Sequence, residues 1–351
     1  MKGQRYFISK TITSEGWGEV AASRLGAGWE GYVWGVDAES VLLVDSEDGV
    51  IRLVTPEIGD GAFHVVVEQG SATLWGALTM IKRGLYASCD GDQLRLGDEL
   101  TVRLPHSAPW ESGLSWWREN CPIAGPAIGR DLAILSDWLM ARAPEESLGG
   151  LLPDLLAPGD TADKAAKRLD LSREVRLYRW RAGRILDTLW PALASGDIAV
   201  AEAAIHRLTG LDTRSPSSGD CFMLGVIAGT QLWSEFLIEG SGLRAKSLLV
   251  RLTRTFSEHT GPLGRALLLN ALENRWDIRW HTLYAALTPS AKARQPRSHP
   301  HHSHNQLLSV AGAWLAQDKV AASAALAGLV MPFLWYQRFL LNHSSPWARD
   351  R

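Results

Sequence analysis

The chain has 351 residues, of which 46% are hydrophobic and 21% are charged, and its formal net charge is −2. This composition is that of an ordinary globular protein, so it excludes general disorder, and the length suits one large domain or two moderate ones. The near balance of 36 basic and 38 acidic residues creates no field that would attract nucleic acid or a membrane surface. We therefore expect neither kind of partner.

Cysteine content and hydropathy predict a cytoplasmic protein without a membrane-spanning helix. The N-terminal segment MKGQRYFISK has no apolar stretch typical of a signal peptide. The uncharged stretch 320–336 is interrupted by Ser323 and Pro332, and it falls short of the roughly 18–20 apolar residues that span a bilayer. An odd number of widely separated cysteines disfavours a disulfide framework and favours a reducing compartment. They are Cys89, Cys121 and Cys221.

The N-terminal part of the chain has the pattern of β-structure. Short runs of β-branched and apolar residues alternate with Gly, Asp and Ser, at 41–44, 50–54, 64–67, 94–96 and 101–104. Residues 46–49, Ser-Glu-Asp-Gly, form an acidic turn that suits a hairpin. Many short strands with turn signals predict a small barrel or a sandwich-like unit over residues 1–110, and not βαβ repeats.

After Pro105 the apolar residues take up helical spacing. A polar loop at 144–162 interrupts the pattern, and most of the chain beyond residue 173 has the spacing of helices. The predicted helices are 126–143, 174–194, 197–208, 220–239, 262–275, 305–316 and 319–342. Strands followed by helices predict an α+β fold, in which the β-rich unit packs on a mostly helical unit over residues 111–351.

The segment 208–229 combines a polar loop with the start of an uncharged helix. Ser218, Gly219 and Asp220 lie where that helix begins, so its unpaired N–H groups offer an anion site. Gly219 allows close approach, the Ser218 hydroxyl can donate a hydrogen bond, and Arg214 can add its guanidinium fork. In the alternative interpretation, Ser218 or Asp220 is simply the N-cap of a buried helix.

This segment resembles the signature of the AllH-like family, a former domain of unknown function that includes a subunit of oxamate carbamoyltransferase. The family pattern is L-x-G-L-G-P-G-L-T-P-S-G-D-D-F-L-x-G. Its matches in this chain are Leu208, Gly210, Leu211, Ser218, Gly219, Asp220, Phe222 and Gly225.

Two shorter resemblances occur further along the chain, in the same order as in the family. Residues 260–271 are similar to T-x-x-L-S-x-x-L-L-x-x-A, with Thr260 matching and Gly264 in place of Ser. Residues 300–308 are similar to G-H-T-S-G-x-D-L-L, with His301 and Ser303 matching and Gln306 in place of Asp. The β-rich start and helical body also resemble the family's layout.

The resemblance implies a carbamoyltransferase-like enzyme or enzyme subunit that moves a carbamoyl group between carbamoyl phosphate and a small amide or amine acceptor such as oxamate. It implies a site where the 218–220 helix start meets the 260 and 301 segments. The family's transferase has several subunits, so partner subunits or a homo-oligomer are expected, and no cofactor is. The matching positions expected to bind substrate or phosphate are Gly210, Ser218, Gly219, Thr260 and Ser303.

The chemistry of the side chains suggests a role for each candidate. The phosphate would lie on the N–H groups of 218–220 with help from Arg214. Asp220 would orient or deprotonate the acceptor, and His301 would polarise the carbamoyl oxygen or act as an acid. These two are the expected catalytic residues.

The chain also departs from the family pattern. Asp212, Thr213 and Arg214 stand where the family has Gly, Pro and Gly, so a backbone cradle built on those glycines is not retained. Cys221 replaces a second Asp that could assist acid–base work. The alternative hypothesis is therefore a non-catalytic structural or binding subunit that keeps the fold and uses a Trp-rich surface for assembly.

Two further clusters have alternative interpretations. The polar loop 288–304 contains His299, His301, His302 and His304, which could bind Zn²⁺, line the site or be solvated. No Cys, Asp or Glu lies near them in sequence, so we expect no metal, and Ser303 could cap a helix beginning near Asn305. The second cluster is an arginine-rich helix face, either solvated and ion-paired or facing an acidic partner. It consists of Arg176, Arg179, Arg181 and Arg184.

Overall fold

The protein, as a computed structural model, forms two compact units. The barrel unit comprises Met1–Leu114 and Asn274–His281, and the helical unit comprises Ser115–Glu273 and Thr282–Arg351. The sequence prediction placed one boundary after residue 110 and did not include the return of 274–281 to the first unit. None of the helices in the described part of the chain combines the length and the hydrophobicity that a membrane span requires. The structure describes residues 10–26, 28–68, 81–114, 125–153, 171–195, 197–209, 211–234, 241–287 and 301–341.

In its described residues, the barrel unit contains eight strands, one short helix and the first turn of a further helix that begins at Ile278. The strands are β1 (Lys10–Trp17), β2 (Trp29–Val36), β3 (Ser40–Asp45), β4 (Val50–Val54), β5 (His64–Val67), β6 (Tyr86–Cys89), β7 (Gln93–Leu96) and β8 (Leu100–Arg103). Their order is β1-β5-β4-β3-β2-β6-β7-β8, and β8 pairs in parallel with β1 to close the barrel. The helix α1 (Glu19–Arg24) lies between β1 and β2. The expected β-rich N-terminal unit is thus a barrel, within a fold of mixed strands and helices.

Alternating side chains fill the barrel interior. In β7 and β8 every second residue is buried, the pattern of strands with one face inside and one in solvent. The acidic turn between β3 and β4 is held by Asp45, whose Oδ1 accepts the N–H groups of Glu47 and Gly49. Each fully buried aliphatic side chain contributes about 1.5–3 kcal/mol of hydrophobic stabilisation. The interior includes Ile12, Val33, Val41, Leu43, Ile51, Leu53, Val65, Val67, Leu94, Leu96, Leu100 and Val102.

The returning segment 274–281 adds a buried polar cluster to the barrel unit. Asp277 accepts the N–H groups of Arg279 and Trp280 and so caps the next helix in the chain. Burial acts to raise the pKa of Asp277, but the Arg279 guanidinium and these hydrogen bonds together hold that pKa below its usual value. The rings of Trp276 and Trp280, both buried, lie 4.9 Å apart and pack as core residues.

His64, at the start of β5, is buried as a neutral imidazole. It is 1% exposed, and its Nδ1 lies 2.9 Å from the carbonyl oxygen of Gly59, which accepts the Nδ1–H of the neutral ring. Burial and the positive charge of Arg52 lower the pKa of His64 to about 4, while the bond to Gly59 and the charge of Asp277 act in the opposite direction. At neutral pH the ring is therefore uncharged.

We expect acid to destabilise the barrel unit through His64. His64 takes up a proton near pH 6.5 in the unfolded chain and only near pH 4 in the folded chain. The neutral ring's contribution to the free energy of unfolding is therefore fully present above pH 6.5 and is lost as the pH falls towards 4. The loss amounts to about 3 kcal/mol. His64→Asn keeps an N–H donor for Gly59 and does not titrate. Urea unfolding at pH 6.5 and at pH 4 should therefore show this extra loss of unfolding free energy in the wild type and not in His64→Asn. An equal pH dependence of the unfolding free energy in the two proteins would contradict the prediction.

The remaining described α-helices lie in the helical unit, except that the helix Ile278–Leu287 begins in the returning segment of the barrel unit. They are α2 (Gly125–Arg142), α3 (Arg173–Ser195), α4 (Ile198–Thr209), α5 (Ser218–Ser234), α6 (Ser241–Ser257), α7 (Pro262–Leu272), α8 (Ile278–Leu287), α9 (His301–Gln317) and α10 (Lys319–Leu341). The sequence prediction missed α6 and α8 and began α9 near residue 305. Because α9 begins at His301, residues 301–304 are helical and are not the loop that we expected.

The helices α5 and α10 form the centre of the helical unit. Glycines allow their backbones to approach: a Cβ at Gly225 would overlap the carbonyl oxygen of Ala325, and one at Gly328 would overlap that of Phe222. Other helices attach to α5 through polar side chains. The Tyr284 hydroxyl of α8 donates to the Ala228 carbonyl at 2.9 Å. The central pair is thus held close by small residues and is anchored by hydrogen bonds from its neighbours.

Candidate functional site

The N-terminus of α5 is closed by a capping box. The Ser217 hydroxyl accepts the N–H of Asp220 at 3.1 Å, and the Asp220 Oδ2 accepts the N–H of Ser217 at 2.7 Å. This reciprocal pair satisfies two N–H groups that a helix start leaves open. The N-cap is therefore Ser217, whereas the sequence interpretation considered Ser218 or Asp220.

Asp220 also binds the segment that precedes α7. The Thr260 hydroxyl donates to the Asp220 Oδ1 at 2.5 Å, across forty residues of sequence. Asp220 is 3% exposed, and burial raises its pKa although the hydrogen bonds from Thr260 and Ser217 act to lower it. A Cβ at Gly264 would lie 2.6 Å from the Asp220 Oδ2 and 2.5 Å from the Thr260 Oγ1. A glycine at position 264, where the family has Ser, therefore permits this close approach.

Asp212 occupies the anion position that the sequence suggested for a phosphate. Its Oδ2 accepts the N–H of Ser218 at 3.1 Å and a guanidinium N–H of Arg214 at 2.9 Å. Arg214 also donates to the Ser218 hydroxyl, and its side chain is 40% exposed. Burial acts to raise the pKa of Asp212, but these bonds outweigh it and hold that pKa below its usual value. An exogenous anion would have to displace this carboxylate.

Gly219 has a packing role in the structure. It is buried, and a Cβ there would overlap the carbonyl oxygen of Leu208 near the end of α4. The close approach predicted at this position is therefore to the chain's own backbone. Gly210, the other glycine expected at the site, lies outside the described residues.

The structure brings together five of the expected site residues at the start of α5: Arg214, Ser218, Gly219, Asp220 and Thr260. His301 and Ser303 lie in the first turn of α9, and their side chains are outside the described part of the chain. Their expected approach to Asp220 stays a prediction. Among the described residues, no three His, Cys, Asp or Glu side chains come together as a metal site.

We compared the chain with protein-family models, curated proteins and solved structures. None of them matches it.

Three residues of this cluster were not among the sequence candidates. Ser217 could have been found, because Ser followed three residues later by an acidic residue is the signature of a capping box. Asp212 was noted only as a lost glycine. Tyr178, on α3, carried no local signal. Burial raises the pKa of Tyr178 to about 12 although an interaction with the Ser218 hydroxyl acts to lower it, so the phenol stays protonated beside the cluster.

Proposed function

We propose that this chain is a carbamoyltransferase-like enzyme or enzyme subunit that transfers a carbamoyl group between carbamoyl phosphate and a small amide or amine acceptor such as oxamate. The observation that supports it best is the hydrogen bond from Thr260 to Asp220. It joins two of the three separate segments through which the sequence resembles the AllH-like family. The two described free cysteines, Cys89 and Cys221, are compatible with the cytoplasmic location that belongs to this proposal.

Phosphate binding in this proposal uses Arg214 and Ser218. The phosphate replaces the Asp212 carboxylate on the guanidinium and on the Ser218 N–H, so that one anion takes the place of another. Arg214 is suited to this exchange because its side chain is partly exposed and its planar fork matches two phosphate oxygens. Tyr178 is protonated at neutral pH and adds a further hydroxyl beside this cluster.

Asp220 is the general base of the proposed reaction. A carboxylate with a raised pKa is a stronger base than an exposed one, and it must be ionised to accept a proton. The acceptor nitrogen forms a bond to the carbamoyl carbon, the bond from that carbon to the phosphate oxygen breaks, and Asp220 takes the proton from the nitrogen. To reach Oδ1, the acceptor replaces the hydrogen bond from Thr260. His301 remains the proposed acid or polarising group.

A non-catalytic subunit is the second candidate, and a specific observation favours it. Both carboxylate oxygens of Asp220 and the N–H of Ser218 are already bonded within the chain. A self-satisfied capping arrangement of this kind stabilises a helix start without any ligand. Trp276, Trp280 and Trp314 are buried, however, so these three tryptophans do not supply the Trp-rich surface that this candidate would use for assembly.

The test is phosphate release from carbamoyl phosphate by the purified full chain, with a panel of amide and amine acceptors that includes oxamate. We expect release that depends on the acceptor, measured above the rate without protein. Arg214→Gln should raise the KM for carbamoyl phosphate, since it removes the positive charge that holds the phosphate. No release with any acceptor would favour the non-catalytic subunit, and isolation of its partner would then be the next step.

A further inference from the structure

The outer face of α3 exposes two large apolar side chains among arginines. Leu177 is 44% exposed and Trp180 is 55% exposed. They lie three residues apart and so share one side of the helix. We call this face, with its four arginines, the α3 stripe: Arg173, Arg176, Leu177, Trp180, Arg181 and Arg184.

The inner face of α3 explains why the stripe points outward. Ala182, Ile185, Leu186 and Leu189 are buried. Arg179, which the sequence analysis assigned to the arginine-rich face, is buried with them, and its guanidinium pairs with Glu145 at 2.6 Å. The packed side of α3 is thus complete without Leu177 and Trp180. These two side chains are available for another contact.

The arginines of the stripe have no carboxylate partner among the described residues. Two acidic residues, Glu174 and Asp187, lie on or beside this face, so its local charge stays positive. By contrast, the exposed Arg251 on α6 pairs with Glu202 at 2.7 Å. Elsewhere in the described part of the chain, the exposed Arg207 and Arg254 also have no ion-pair partner, so what distinguishes the stripe is that its arginines flank two exposed apolar side chains.

This composition matches that of a protein-binding surface. Trp and Arg are the residues most enriched among those that dominate binding energy, and a Trp side chain buries roughly 150–250 Å². A rigid, packed helix also loses little conformational entropy when it is bound. Because the arginines are unpaired, the complementary surface must supply carboxylates. Because Leu177 and Trp180 stand between them, it must supply an apolar side chain as well.

We propose that the α3 stripe docks an acidic segment of a partner protein, whose carboxylates pair with the stripe arginines and whose apolar side chain covers Trp180. The proposal is independent of the transferase function, because it uses none of the residues at the start of α5. It extends the sequence hypothesis of an acidic partner by naming the residues that contact it.

The experiment measures binding of a labelled peptide of alternating glutamate and leucine to the full chain by fluorescence anisotropy. Saturable binding that weakens with added salt is expected. Trp180→Ala and the double variant Arg181→Gln with Arg184→Gln should each weaken it at least about tenfold. Because these side chains are exposed, the variants should keep the wild-type melting temperature. Two matched controls, Arg251→Gln on α6 and Val200→Ala on α4, should bind as the wild type does.

Several results would overturn the proposal. Equal binding by wild type and stripe variants, or no binding of the peptide, excludes an acidic segment at this face. A purely glutamate peptide that binds as well as the mixed one removes the role of Trp180. Stronger, stripe-dependent binding to phosphatidylserine vesicles or to single-stranded DNA would assign the face to a lipid or a nucleic acid. Sedimentation that shows self-association lost in Trp180→Ala would assign it to a second copy of the chain.

Discussion

Gly225→Ala is expected to lower the free energy of unfolding of the helical unit by about 3 kcal/mol, the upper part of the usual range for overpacking. The added methyl group would overlap the carbonyl oxygen of Ala325 and lie close to the Leu329 nitrogen. Both atoms belong to the backbone of α10, so the strain can be relieved only if the two helices move apart. Such a movement would weaken the packing of the buried side chains along the whole crossing.

The matched control for this variant is Gly183→Ala. Gly183 is also inside a helix, α3, but a Cβ there would meet no atom within 4 Å. Alanine is favoured over glycine in a helix, so this change should stabilise the protein by about 0.5–1 kcal/mol. Urea unfolding followed by far-ultraviolet circular dichroism compares the two. If the two variants change the free energy of unfolding by similar amounts and with the same sign, the close approach of α5 and α10 at Gly225 is not what stabilises their packing.

Asp220→Asn should reduce acceptor-dependent phosphate release by about a thousandfold, because an amide cannot accept the proton. The fold should change little. The amide oxygen can accept the Ser217 N–H, and the amide nitrogen can donate to the Thr260 hydroxyl, which accepts as readily as it donates. In the wild type, the rate should rise as the pH passes through the raised pKa of Asp220, since only the carboxylate acts as a base.

A second helix-capping aspartate provides the control. Asp197 accepts the N–H of Val200 at the start of α4, so Asp197→Asn tests the general effect of this substitution at a cap. Release and melting temperature should both stay near the wild-type values in that variant. If Asp220→Asn instead loses much stability while activity per folded molecule is retained, Asp220 is a cap and not a base.

Local patterns in the sequence were sufficient for the elements that bury a regular set of side chains. The predicted strands 41–44, 50–54 and 64–67 are apolar runs, and they correspond to β3, β4 and β5. The long helices α2, α3, α4 and α10 were found with ends close to the observed ones, because their apolar residues repeat with helical spacing. The helix α6 shows the same spacing, with Leu249, Leu252 and Phe256 buried, so its omission was an error of interpretation.

Other strands depended on pairing that no local pattern reveals. The segment Lys10–Trp17 is largely polar, and Trp29–Val36 contains two glycines, so neither has the composition of an isolated strand. They become strands because their backbones complete the ladder, β1 between β5 and β8 and β2 between β3 and β6. Closing the barrel satisfies N–H and carbonyl groups that an open sheet would leave at its edges.

The candidate site divides in the same way. The start of α5 was recognisable from the sequence, because caps and turns are determined by a few adjacent residues. The pairing of this segment with the one before α7 was expected only from the resemblance in motifs. The hydrogen bond between Asp220 and Thr260, the hydrogen bond from the Ser218 N–H to Asp212, and the burial of Arg179 were not recognisable from the sequence. Each of these depends on which side chains the folded chain brings together from distant segments, and on how far burial strengthens the interaction between them.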